Sequence, residues 1–307
     1  MKHFFYIVFG GLALVLVILF SINVIKAVKS AKPVPIEQMT SPKMFSAISE
    51  EDSVNTTSEL WPAATTSVGI SKNTISSIGA KAYAVMDTSD SSLVLSNNSD
   101  ILLPVASLTK LVTAVIAYKV FSSDAEMTIT KKVLATYGNT ADFQEGETFT
   151  VHDLLYPLLL VSSNDAAEAL AQTYGRQAFI KTMNDFTQSI GAYRTYFADP
   201  AGLSPQSVST AHDVAIILDW IYKNQPGLLD ITLEKSKTIR SHTWVNPTHF
   251  LSWSYYLGGK NGYLPEADKT GALLFRFSST TPVYAVVVLG SQSRDSDVVS
   301  LVRSFMK

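Results

Sequence analysis

The sequence predicts an α+β fold: an antiparallel sheet flanked by helices, with an N-terminal transmembrane helix ahead of it. Three observations predict it. Strand-like runs stand near both ends of the globular part, a long stretch of helical periodicity lies between them, and one unbroken apolar segment opens the chain. An antiparallel sheet lets an early hairpin join late strands while the intervening helices pack around it. At 307 residues there is room for one large or two ordinary domains.

The apolar segment runs from Phe4 to Ile25, broken only by Ser21 and Asn23. At ~1.5 Å per residue it extends about 33 Å, enough to cross a bilayer core. A cleavable leader has a shorter apolar run followed by a small-x-small site. Here Lys26, Lys29 and Lys32 follow instead, so residues 1–31 read as an uncleaved anchor. These lysines outnumber Lys2 plus the amino terminus, and by charge alone they favour a cytoplasmic domain. Residues 32–71 carry Pro33, Pro35, Pro42 and Pro62 among Ser, Thr and acidic residues, the composition of a flexible tether. Residues 72–307 remain as one domain.

Within that domain, Ala80–Asp87 alternates and ends in turn residues, and Leu93-Val94-Leu95 completes a hairpin. A helix is predicted from Ser107 to Phe121, with Leu111, Val115 and Tyr118 on one face. Thr150 with Asp153 caps another, which Pro157 should bend or stop. Helices follow at Ala166–Tyr174, ending near Gly175, and at Gln177–Ile190, ending at a left-handed Gly191. Thr210 with Asp213 opens a helix through Tyr222. Ala272–Phe277 and Val283–Leu289 read as strands, and Val298–Met306 as a final amphipathic helix. The chain stops there, so anchoring is expected through its N-terminus rather than a C-terminal tail.

Composition narrows the chemistry. A net charge of −2 without a basic block gives no reason to expect nucleic acid. With no cysteine, disulfides, thiol catalysis and Cys-ligated metals are excluded. The informative residues are Ser107-Leu108-Thr109-Lys110. Three positions apart on one helix face, the hydroxyl and amine can touch. A lysine activates a serine only if burial or another cation lowers its pKa. Alone, this pattern fits a capping serine beside a surface lysine better than a catalytic pair. Further along stand Ser162-Ser163-Asn164, by itself ordinary turn composition, then Asp199-Pro200-Ala201-Gly202-Leu203-Ser204-Pro205, then Gly258-Gly259-Lys260-Asn261-Gly262-Tyr263.

This ordered set resembles the serine D-Ala-D-Ala carboxypeptidases, the low-molecular-mass penicillin-binding proteins of the peptidase S11 type. Their motifs are Ser-x-x-Lys, Ser-x-Asn and Lys-Thr-Gly. The resemblance runs from about Ala80 to the C-terminus and includes the flanks Ala106-Ser107-Leu108-Thr109-Lys110 and Ser163-Asn164-Asp165-Ala166-Ala167. It implies a β-lactamase/DD-peptidase-like fold and a peptidoglycan stem peptide ending in D-Ala-D-Ala as substrate. It also implies β-lactams as covalent inhibitors and no cofactor. By the same resemblance Ser107 is the nucleophile, and Lys110 the base, its pKa depressed by Lys260. Ser162 shuttles a proton to the leaving amine, and Asn164 holds Lys110 and the substrate backbone. The N–H groups of Ser107 and Tyr263 form the oxyanion hole, and Gly262 lets the substrate approach. Lys260, Asn261 and Arg294 meet the terminal carboxylate. Such a substrate lies outside the cell, which overrides the lysine count and places the domain on the outer face of the cell membrane.

The third motif departs from the pattern. A literal Lys-Thr-Gly occurs at Lys269-Thr270-Gly271, whereas Lys260-Asn261-Gly262 carries asparagine. Lys260 is preferred, because two strand-like runs follow it; starting from Lys269 would consume one and leave the sheet short. Thr270 then merely begins the next strand, and Thr270→Val should matter little. Asn261 keeps an amide donor but is longer than threonine, so weaker carboxylate binding and a changed preference are expected. Cleavage of cross-links as a D,D-endopeptidase, and a non-catalytic peptidoglycan-binding homologue motivated by Asn261, are the alternatives. A β-lactamase would need a Glu-x-x-Leu-Asn segment. Only Glu168 and Glu234 lie between Asn164 and Lys260, both in other contexts, so a penicilloyl adduct should be long-lived. A Gly-x-Ser-x-Gly elbow is absent. His242 and His249 read as solvated or hydrogen-bonded rather than metal-binding, and His152 needs no role.

Overall fold

The computed structural model describes residues 78–138 and 140–305. The predicted anchor and tether, residues 1–71, lie outside them. Among the described residues no helix is long and apolar enough to cross a membrane. In chain order the elements are β1 (Ala82–Asp87), β2 (Ser92–Asn97), β3 (Leu103–Pro104), α1 (Thr109–Val120), β4 (Glu126–Thr128) and α2 (Lys131–Leu134). There follow β5 (Thr148–Thr150), α3 (Val151–Leu160), α4 (Asn164–Tyr174), α5 (Arg176–Ser189), β6 (Val208–Ser209) and α6 (Ala211–Asn224). The last are α7 (Pro226–Leu233), β7 (Ser236–Ile239), β8 (His242–Val245), β9 (Tyr256–Leu264), β10 (Asp268–Phe275), β11 (Tyr284–Ser291) and α8 (Arg294–Phe305).

The main sheet has the order β2-β1-β11-β10-β9, every neighbouring pair antiparallel. The N-terminal hairpin thus joins the C-terminal strands, as the sequence predicts. Its central strands are covered on both faces, and the period of two sorts their side chains between two cores. Ala82, Ala84, Met86, Ala272, Leu274, Ala285, Val287 and Leu289 face the helical middle of the chain. Tyr83, Val85, Leu273, Phe275, Val286 and Val288 face Val298, Leu301 and Val302 of α8. The same alternation puts Lys260, Gly262 and Thr270 on the helical side, through the pairs Lys260↔Ala272 and Gly262↔Thr270, with Asn261 and Gly271 opposite each other on the other side. Edge strand β9 therefore meets the helices at the groove where the motifs collect.

The caps fall where the sequence puts them. Thr150 and Asp153 form a reciprocal capping box on α3, and Thr210 caps α6 by accepting from the Asp213 N–H. Gly191 is left-handed at φ 92°. Pro157, however, neither stops nor ends α3, which continues to Leu160. A proline forfeits one intrahelical bond, but Leu154 through Leu160 are all buried, and that packing holds the turn. Tyr118 is 54% exposed rather than part of an apolar face, because α1 is already enclosed on all sides from Thr109 to Ala117. The first helix opens with a 3₁₀ turn at Ala106–Leu108, and the last begins at Arg294. Strand β10 starts at Asp268, well before Ala272.

Candidate active site

Ser107 sits at the junction of the 3₁₀ turn and α1, and Lys110 lies one turn further on the same face. Lys110 has no solvent exposure. Its Nζ is 3.1 Å from Ser107 Oγ, 2.8 Å from Asn164 Oδ1 and 2.6 Å from the Ala201 carbonyl oxygen. Burial first, and the Lys260 charge second, push its pKa well below the usual lysine value, while Asp199 opposes them. Burial and the neighbouring cation thus favour the neutral form of an amine that lies within contact of the hydroxyl.

Asn164 is the first residue of α4, fixed by the Ser163 hydroxyl, which caps the helix by accepting from the Ala166 N–H. Its two amide groups face two ways: Oδ1 accepts from Lys110, and Nδ2 donates to the Tyr137 carbonyl at 2.8 Å. Ser162 is held at φ 59°, a conformation that costs a non-glycine residue on the order of 1 kcal/mol. Its hydroxyl is shut from solvent and makes no hydrogen bond among the described residues, so the structure brings it into the loop but joins it to neither Ser107 nor Lys110.

On the opposite wall, Gly262 of β9 packs against the Ser107 turn. A Cβ there would lie 2.9 Å from the Ser107 backbone nitrogen and 2.6 Å from Thr270 Oγ1, so glycine is required by close approach. Lys260 is 5% exposed, and its Nζ donates to the carbonyl of Asn261. Burial, then the nearby Arg294 guanidinium, push its pKa down to about 7. Arg294 stacks its aliphatic stem over Gly271, directly across the strand pair from Asn261, and donates from Nε to Asp295. Asn261 Oδ1 is buried without a hydrogen-bond partner among the described residues. The Tyr263 ring is 62% exposed. Ser107, Lys110 and Asn164 are therefore joined by direct contacts, Gly262 packs on the Ser107 turn, and β10 and β11 follow Lys260 in the sheet.

Lys269 pairs with Tyr263 in the β9–β10 ladder. Thr270 is less idle than the sequence suggests: it is fully buried, and its hydroxyl donates to the Val105 carbonyl at 3.2 Å.

Sequence reasoning singled out the 199–205 segment but gave no role to its Ala201 carbonyl, the third acceptor to Lys110. Asp199 Oδ1 accepts from the N–H groups of Ala201, Gly202 and Leu203, and Oδ2 from that of Ser204. Thr113 of α1 donates to the Pro200 carbonyl at 2.5 Å. A Cβ on Gly202 would sit only 2.0 Å from the Ala106 carbonyl oxygen, and φ is +75° there, so glycine is needed twice over. The signal was present as Asp-Pro-Ala-Gly, but the functional atom is a backbone carbonyl that no side chain advertises.

The remaining candidates have structural partners. His242 is buried, 2.8 Å from Glu147 Oε1 and stacked on Trp244, whereas His249 lies in a separate 3₁₀ turn. Glu168 forms a two-pronged pair with Arg176. His152 stands edge-on to Tyr156.

Known proteins sharpen this picture. The family model for D-alanyl-D-alanine carboxypeptidases, peptidase family S11, matches residues 68–292, more than half of the chain. The D-alanyl-D-alanine carboxypeptidase of Streptomyces sp. K15 is 30% identical over 266 residues, covering 78% of this chain and 90% of the relative. The D-alanyl-D-alanine endopeptidase of Escherichia coli K12 is 31% identical over 206 residues, covering 64% of each chain. Among solved structures, a point mutant of the Streptomyces K15 DD-transpeptidase superimposes with a TM-score of 0.69 at 26% identity, covering 74% of this chain and 98% of that one.

Proposed function

The chain belongs to the D-alanyl-D-alanine carboxypeptidase family, peptidase family S11, and on that premise we propose that it is a membrane-anchored serine-type D-Ala-D-Ala carboxypeptidase acting on peptidoglycan stem peptides. The observation that carries this reading is the wholly buried Lys110 amine 3.1 Å from Ser107 Oγ. Ser107 Oγ attacks the carbonyl of the penultimate D-alanine, and its proton passes to Lys110. The oxyanion that forms is received by the N–H groups of Ser107 and Tyr263, donors fixed before the charge develops. As the C–N bond breaks, the leaving amine takes a proton by way of Ser162, whose unengaged hydroxyl is free to relay it. D-Alanine departs, and water hydrolyses the Ser107 ester with Lys110 again as base. Asn164 keeps Lys110 aimed and offers its amide to the peptide backbone. Lys260, Asn261 and Arg294 receive the terminal carboxylate.

β-Lactams would acylate the same oxygen, and the ester should persist, since Glu168 is tied to Arg176 rather than poised over a water. Residues 1–31 serve as the anchor and 32–71 as a spacer that carries the peptidase domain of residues 72–307 outside the cell membrane. The likeness to the E. coli endopeptidase favours a second activity, cleavage of D,D cross-links by the same residues.

The test is release of D-alanine by the full-length protein, in detergent, from a pentapeptide ending in D-Ala-D-Ala. Turnover that vanishes in Ser107→Ala supports the carboxypeptidase. Turnover confined to cross-linked muropeptide dimers supports the endopeptidase. Binding of peptidoglycan with neither turnover nor penicillin labelling would leave only a non-catalytic homologue.

A further inference from the structure

The turn that carries the nucleophile is held in an unusual shape. Ala106 has φ +49°, a left-handed conformation that an alanine adopts only when its surroundings impose it. Two of the impositions are local or come from the helical side. Thr109 Oγ1 donates to the Ala106 carbonyl at 2.8 Å, and the Val105 N–H donates to the Ser207 carbonyl at 3.0 Å. A third comes from the sheet. Thr270 of β10 donates from Oγ1 to the Val105 carbonyl at 3.2 Å, the same oxygen that accepts the Leu108 N–H and so closes the turn around Ser107.

Thr270 also stands directly across the ladder from Gly262. One point in space, where a Gly262 Cβ would be, lies 2.6 Å from the Thr270 hydroxyl and 2.9 Å from the Ser107 nitrogen. Hydroxyl, strand and N–H are thus stacked in contact. A pull on the Val105 carbonyl sets how far the Ser107 N–H stands from β9, and with it the spacing of the two oxyanion donors.

We propose that Thr270 is a positioning residue: its buried hydroxyl holds the Val105–Leu108 turn against the sheet so that the Ser107 N–H meets the reacting carbonyl oxygen. This rests on the acylating reading of Ser107 given above. It acts through the turn and touches no substrate. A hydroxyl that merely satisfied a buried carbonyl would affect stability and leave the rate alone.

The experiment uses the full-length protein and compares Thr270→Val, Thr270→Ala and Thr270→Ser. It measures the second-order acylation rate with fluorescent penicillin, kcat and KM on a D-Ala-D-Ala peptide, and Tm. Misplacing a donor by a fraction of an ångström is expected to slow acylation about tenfold or more in Val and Ala, mainly through kcat. Ser, which restores the hydroxyl, should recover most of the wild-type rate. Wild-type acylation rates in Val or Ala, with or without a lower Tm, would overturn the proposal. So would an equal loss in Ser. If Val fails to fold, the Ala and Ser pair decides. Wild-type protein that takes no label would instead overturn the acylating reading itself, and this inference with it.

Discussion

The two walls of the groove are finished to different degrees. On the helical wall Lys110 Nζ has three oxygen neighbours, both ends of the Asn164 amide are engaged, and the loop behind them is knotted by four N–H groups on Asp199. On the β9 wall Lys260 donates to its neighbour's carbonyl, Asn261 Oδ1 has no partner among the described residues, and the Tyr263 ring stands in solvent. Groups that make and break bonds gain from being fixed in advance. Groups that bind substrate can be left open until it arrives. The contrast also falls at the residue departing from the family pattern, so on the proposed reading the difference between the walls is one between chemistry and selectivity.

The largest expected effect lies on the helical wall. Lys110→Gln keeps a polar group but removes the base, and acylation by penicillin should fall by roughly a thousandfold or more in stopped-flow labelling. A loss below tenfold would mean that the wired wall is scaffolding. Next comes Asp199→Ala, which leaves four loop N–H groups without their carboxylate. It should lower stability by about 3 kcal/mol in urea melts and slow acylation as well, because the Ala201 carbonyl drifts from Lys110. Unchanged kinetics in a destabilised variant would separate loop from chemistry.

On the β9 wall the changes are smaller and substrate-dependent. Asn261→Thr should raise kcat/KM on a D-Ala-D-Ala peptide by about threefold to tenfold, mostly through a lower KM, as a gain in uniform substrate binding does. A loss instead would show that asparagine is tuned to a different leaving group. The smallest effect is one of pH. With its pKa down at about 7, Lys260 is cationic below that value and neutral above it in the free enzyme. Attraction for a terminal carboxylate, read as kcat/KM, should therefore fall as pH rises through about 7, and Lys260→Gln should flatten that limb. Stability moves the other way. The unfolded chain keeps this lysine protonated up to about 10.5 and the folded one only to about 7, so stability rises with pH across that window. Paired thermal melts of wild type and Lys260→Gln at pH 6 and pH 9 measure it.

Much of this was legible before the coordinates. An alternating run marked β1, continuous apolar runs marked β10 and β11, and the Thr150 and Thr210 caps marked α3 and α6, since each is written in local side chains. The motif residues were legible for the same reason. What was not legible depends on contacts far apart in sequence. Tyr118 looks like a core residue until α1 is found enclosed without it, and Pro157 looks like a stop until its neighbours prove buried. The β7–β8 hairpin, with four residues per strand, is too short to declare a period. The acceptors at Ala201 and Tyr137 are backbone carbonyls, identical in every residue. Thr270 is the clearest instance: it gains meaning only from Val105, 165 positions away.

The most direct test is to incubate the full-length protein with a penicillin, digest it, and map the adduct by tandem mass spectrometry. The account predicts a single penicilloyl ester on Ser107, absent in Ser107→Ala and formed far more slowly in Lys110→Gln. An adduct on another residue, or an unmodified Ser107 under saturating penicillin, would contradict it.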